Sequence, residues 1–244
     1  MEAGGVGSPK GKREAGLDRA IAGRVLASRL HRSGETVRLP NKAPTTVEFE
    51  IAFVLGEDVE PDSAPMAAVS ATHVAFEPVL SRFVDRRAVG WPSFAADNAA
   101  FQAFVLGDAV DPARIGEIAG AVVVGVDGKE MATRLVGDNA SDPVTALGEL
   151  FAHARDRGMT LPAGTLVSTG TLSIPFTVAG KGTDIVARFL GSDCGSELLC
   201  PVRRFLRHHP LHERLHMWKG KGNLRGAGPA AGEGGRWTGT CKPV

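Results

Sequence analysis

Alternation of apolar and polar positions gives the chain its clearest signal. Along Val47-Glu48-Phe49-Glu50-Ile51-Ala52-Phe53-Val54-Leu55, the side chains of a strand point to opposite faces in turn. Phe49, Ile51 and Phe53 then share one face, and Glu48 and Glu50 the other. A second apolar run, Val74-Ala75-Phe76-Glu77-Pro78-Val79-Leu80, again sets a carboxylate among apolar residues. Ala119 to Val136 reads as a hairpin closed by Asp127-Gly128, a pair that supplies the positive φ angles of a two-residue turn. The clearest helical period covers 142 to 157. Asp142 is the N-cap, Pro143 sits at N1, Val144, Leu147, Leu150, Phe151 and Ala154 line one face, and Gly158 ends it. Leu17, Ile21, Val25, Leu26 and Leu30 fall at near-helical spacing and predict a short amphipathic helix over 16 to 31. Short strands with Gly-rich turns return from 165 to 190. Many strands and few helices, without strict alternation of the two, predict an α+β, strand-rich fold.

The pattern divides the chain into three. Residues 1–34 form an N-terminal segment with one short helix; its first sixteen residues are Gly-rich and basic and are expected to be disordered. Residues 35–192 form the core. Residues 193–244 carry nine Lys or Arg against four Asp or Glu, four of the seven histidines and a Gly-rich end. Disorder is expected there, so a cut after Gly191 should leave cooperative unfolding in place.

Composition narrows the function classes. At 244 residues and 43% hydrophobic content, the chain can bury the core of one globular domain. The net charge of +1 gives no global electrostatic case for nucleic acid or an anionic membrane. No apolar run is long enough to cross a bilayer as a helix, and the first residues lack the pattern of a secretory signal. Three cysteines, Cys194, Cys200 and Cys241, do not make a disulfide framework and fit a reducing cytoplasm. Cys194, Cys200, His208, His209, His212 and His216 fit no compact zinc-finger spacing. His73 and His153 are read as structural.

Two further segments complete a linked pattern. Ala95-Ala96-Asp97-Asn98 precedes Phe104-Val105-Leu106-Gly107, and Leu161-Pro162-Ala163-Gly164 leads into Val167-Ser168-Thr169-Gly170-Thr171. With the Glu48/Glu50 strand and Glu77, in this order, the chain from 23 to 191 resembles the fumarylacetoacetate hydrolase superfamily. The similar branch is that of the 2-keto-4-pentenoate hydratases and 4-oxalocrotonate decarboxylases. The resemblance implies a mixed β-sandwich or roll with few helices. It implies Mg²⁺ or Mn²⁺ held by Glu48, Glu50 and Glu77, an all-oxygen set that suits a hard cation. It places Asp97 and Asn98 as catalytic residues, and Arg82, Thr169, Gly170 and Thr171 at the substrate, with Thr171 able to donate a hydroxyl. The alternative to a metal role for Glu77 is a solvated ion pair with Arg82. Ala99 and Ala100 stand where hydratases of the branch often have a serine.

The activity so implied is hydration of a 2-hydroxy-2,4-dienoate to a 4-hydroxy-2-oxo acid in aromatic-compound catabolism. Its metal would chelate the C1 carboxylate and C2 oxygen. The same chelate serves decarboxylation of a 2-oxo diacid or hydrolysis of an acylpyruvate. The expected partner is a small 2-oxo or 2-hydroxydienoic acid, with no nucleic acid and no membrane, in a homo-oligomer. Relatives carry a longer N-terminal helical segment with a lysine-bearing stretch that closes over the substrate. Only 47 residues precede Glu48, without such a stretch, so weak turnover by a shortened or decayed copy is the rival expectation.

Overall fold

The computed structural model describes residues 2–3, 7–40, 43–60, 63–85, 88–178 and 182–199. The tail candidates Cys200, His208, His209, His212 and His216 lie outside them. Strand β1 (Glu2–Ala3), helix α1 (Pro9–Ala15) and strand β2 (Ala22–Gly23) come first. Strands β3 (Leu30–Arg32) and β4 (Thr36–Arg38) lead to the long antiparallel pair β5 (Thr45–Leu55) and β6 (Val69–Val79). Helix α2 (Gly90–Ala96), strand β7 (Phe104–Ala109), helix α3 (Ile115–Ala121) and the hairpin β8 (Val123–Val126) and β9 (Lys129–Thr133) follow. Helix α4 (Pro143–Asp156) precedes β10 (Leu166–Thr171), β11 (Phe176–Val178), β12 (Thr183–Phe189) and β13 (Ser192–Leu199).

The strands form two mixed sheets. The larger runs β2-β1-β10-β5-β6-β7-β3, with β11 also pairing β5; the smaller runs β4-β13-β12-β8-β9. The strand-rich α+β expectation holds. One apolar cluster draws on both sheets and on α4. Phe49, Ile51 and Phe53 are fully buried in it, as the alternation requires. Phe49 meets Phe76 edge-on at 5.6 Å and Phe189 of the smaller sheet at 5.9 Å. Rings at such separations add to the burial term through their quadrupoles. Among the described residues, no helix is long and apolar enough to cross a membrane.

Local chemistry explains the elements that the pattern located. The Asp142 carboxylate accepts from Thr145 N at 2.6 Å, and Pro143 occupies the first turn of α4. Ala146, Leu147, Leu150, Phe151 and Ala154 are buried, whereas Val144 is on the solvent side at 41% exposure. Asp127 and Gly128 both adopt positive φ, 48° and 76°, the geometry that matches strand twist in a two-residue hairpin. The hairpin is shorter than expected, because Ala119 to Ala121 belong to α3.

Two expectations are corrected. The helix is not at 16–31 but at Pro9–Ala15, inside the segment expected to be disordered. Ser8 accepts from Gly11 N at 3.1 Å to start it, and Gly16 at φ 66° stops it. No residue of α1 is buried; the Lys12–Glu149 ion pair and the 2.7 Å Arg13–Asp138 pair hold it instead. Beyond it, Ile21 packs on Val79, Phe94, Ala99 and Ala100, while Val25 packs on a separate patch around Phe104. Apolar residues that serve different patches need no common helical face. The core also runs past 192. β13 pairs with β12 at seven positions and with β4 at three, burying Cys194, Ser196 and Leu198 on alternate positions. Burial pushes the Cys194 thiol up to about 12, so it stays protonated at neutral pH.

Candidate metal centre

The β5–β6 register sets Glu48 directly opposite Glu77, and Glu50 lies two positions along the same face of β5. Opposed residues in an antiparallel pair have Cβ atoms about 4.5–5.5 Å apart, so register alone brings these carboxylates together. One carboxylate oxygen from each of the three lies within 4.8 Å of the others. Glu50 and Glu77 are buried and Glu48 is half-buried.

The neighbouring strand β10 shapes this cluster. Its register against β5 shifts between Ser168 and Thr171, and Gly170 takes φ +87°, a conformation that favours glycine. The shift turns Gly170 N to Glu50 Oε2 at 3.2 Å, and the Ser168 hydroxyl donates to the same oxygen. Glu50 Oε1 is buried with no hydrogen-bond partner. Burial drives the Glu50 pKa above its ordinary value, and the bonds from Ser168 and Gly170 oppose that shift. A buried carboxylate with one oxygen unsatisfied, beside two others, needs either protons or a cation. The donors are all oxygens, which suits a hard divalent ion. The residues fit such an ion.

Glu48 opens onto a cavity of about 510 Å³, within the usual size range of small-molecule sites. Gly170 and Thr171 line it from β10, Ser141 from just before α4, Trp91 and Phe94 from α2, and Ser8 and Glu14 from around α1. Trp91 and Phe94 stack edge to face at 5.8 Å and form its apolar side.

The structure thus gathers Glu48, Glu50 and Glu77, and places Gly170 and Thr171 on the same cavity. Thr169 turns away, its hydroxyl donating to Ile51 O at 2.7 Å. Thr171 faces the cavity, but its hydroxyl is spent on Ser173 O at 2.8 Å. Asp97, Asn98 and Arg82 are not among the lining residues. Asp97 forms an ion pair with Arg82 and accepts from the Ser81 hydroxyl at 2.9 Å. Asn98 exchanges two hydrogen bonds with the backbone of Arg24. These three residues brace the corner that follows α2. Sequence reasoning passed over Ser168, Ser141, Trp91 and Phe94. For Ser168 a signal existed, since it lies two positions before Gly170 on a strand already read as part of the site.

The comparisons with known proteins agree with this architecture. The fumarylacetoacetate (FAA) hydrolase C-terminal family profile matches residues 24–195. A 2-keto-4-pentenoate hydratase of Burkholderia vietnamiensis is 30% identical over 187 residues, which cover 73% of this chain and 70% of that protein. A 4-oxalocrotonate decarboxylase of a Pseudomonas species is 29% identical over 164 residues, 64% of this chain and 62% of that one. The chain therefore spans less than two thirds of the decarboxylase. Among solved structures, the 4-oxalocrotonate decarboxylase from Pseudomonas putida G7, complexed with magnesium and adipate, superposes with a TM-score of 0.70. It is 20% identical, over 81% of this chain and 76% of that one, and shares the fold. A profile that matches well over half of the chain makes this protein a member of the fumarylacetoacetate hydrolase family.

Proposed function

We propose that the protein is a divalent-metal-dependent hydratase that converts a 2-hydroxy-2,4-dienoate into a 4-hydroxy-2-oxo acid. The observation that carries this reading is the Glu48–Glu50–Glu77 cluster beside a cavity of substrate size, in a chain 30% identical to a 2-keto-4-pentenoate hydratase. Glu48, Glu50 and Glu77 would hold Mg²⁺ or Mn²⁺, which supplies Lewis-acid stabilisation of developing enolate charge and orients a 2-oxo acid.

The chain's own residues set the rest. Ser168 and Gly170 N fix one oxygen of the Glu50 carboxylate and leave the other without a hydrogen-bond partner. Gly170 and Thr171 let the substrate approach the β10 backbone closely. Trp91 and Phe94 offer an apolar wall to a diene tail. Asp97 and Arg82 lock the end of α2 and so position that wall. The net reaction adds one water: the dienol ketonises, and the hydroxyl ends on C4. The lining also bears on the choice against decarboxylation. Among the described lining residues stands Glu14 but no Lys or Arg, so the second carboxylate of a 2-oxo diacid meets no described counter-charge.

Loss of dienol absorbance tests this directly. With Mg²⁺, 2-hydroxypenta-2,4-dienoate should disappear and 4-hydroxy-2-oxopentanoate accumulate, and EDTA should stop it. Release of CO₂ from 4-oxalocrotonate at a higher kcat/KM would replace this reading with the decarboxylase one.

A further inference from the structure

Among the described residues, none binds the side-chain hydroxyl of Ser141. Its backbone N donates to Thr171 O at 3.3 Å, a bond that leaves the Oγ proton uncommitted. Ser141 is only 7% exposed, and it lines the cavity that Glu48, Gly170 and Thr171 share. Two glycines make room for it. A Cβ on Gly170 would stand 2.7 Å from Ser141 Oγ, and one on Gly7 would stand 2.8 Å from it. Both are closer than real Cβ contacts come. A hydroxyl on a cavity wall that no described protein group engages is free to donate its proton to a bound acceptor. Thr171, the hydroxyl expected to serve, already donates to Ser173 O.

We propose that Ser141 is a substrate-binding residue of this site, its hydroxyl donating to a carboxylate or 2-oxo oxygen of the acid chelated beside Glu48. The inference rests on the metal-chelate reading above and adds a residue to it. A hydrogen bond to a charged group is worth about 10- to 100-fold in affinity.

Isothermal titration of oxalate into the Mg²⁺-loaded full chain reads this out. Ser141→Ala should bind oxalate about 10- to 100-fold more weakly than wild type, with Mn²⁺ affinity within about twofold. Ser141→Cys keeps the volume but donates poorly, so it should lose affinity similarly, and it serves where Ser141→Ala does not fold. Oxalate affinity unchanged in Ser141→Ala, or restored in Ser141→Cys, would overturn the proposal, as would loss of Mn²⁺ binding in both. Wild-type protein that binds oxalate equally with and without Mg²⁺ would instead remove the chelate reading on which the proposal stands.

Discussion

Glu50→Gln is expected to raise the melting temperature of the metal-free protein at about pH 8 and to abolish its response to Mg²⁺. The sign follows from burial. The folded-state pKa of Glu50 lies above its ordinary 4.5, so the folded protein favours the protonated acid. That contribution is fully present below about pH 4.5 and is lost as pH rises through the folded value. Metal-free wild type should therefore melt lower as pH rises from about 5 to 8, more steeply than Glu50→Gln, whose amide does not titrate. Mg²⁺ takes the place of the proton, so its stabilisation should grow over the same range. At a hundredfold excess over Kd, linkage gives about 2.7 kcal/mol. For a domain of this size that is a rise of about 5–10 °C. Differential scanning fluorimetry with and without Mg²⁺ at both pH values checks it. An undiminished Mg²⁺ shift in Glu50→Gln would remove Glu50 from the site.

The second large effect concerns the end of the core. A chain cut after Gly191 loses all of β13, including Cys194 and Leu198 at 1% and 3% exposure. It also strips β12 of its seven paired positions and β4 of its neighbour. Burying each such apolar side chain is worth about 1.5–3 kcal/mol, and each ladder hydrogen bond about 1 kcal/mol. Together they approach the whole stability of a domain, about 5–15 kcal/mol. This chain should melt more than about 10 °C below one cut after Leu199, or lose its cooperative transition altogether. Equal transitions in the two would show that β13 adds nothing to the core.

How much of this was legible in the sequence depended on how local each cause was. The acidic face of β5 needed only the two-residue period, and α4 carried its own start and stop in Asp142, Pro143 and Gly158. Asp127-Gly128 announced its turn by φ preference alone. Ile21 and Val25 misled because a helical spacing arose between residues that pack on different patches. β13 stayed hidden because Cys194, Ser196 and Leu198 are a weak alternation, made into a strand by partners on β12 and β4. The cavity was the least legible part. Ser8, Trp91, Ser141 and Gly170 come from four distant segments, and only the closed fold brings them to one wall. The motif marks Asp97 as catalytic, whereas the structure braces it with Ser81 and Arg82.

The central claim is that Glu48, Glu50 and Glu77 form one divalent-metal site. Electron paramagnetic resonance of free Mn²⁺ during titration measures it most directly. Wild type should take up a single Mn²⁺ per chain, competed by Mg²⁺, and Glu48→Gln and Glu77→Gln should each weaken that uptake at least about tenfold, since each removes an anionic ligand. Uptake of Mn²⁺ by both variants with wild-type affinity would contradict the account.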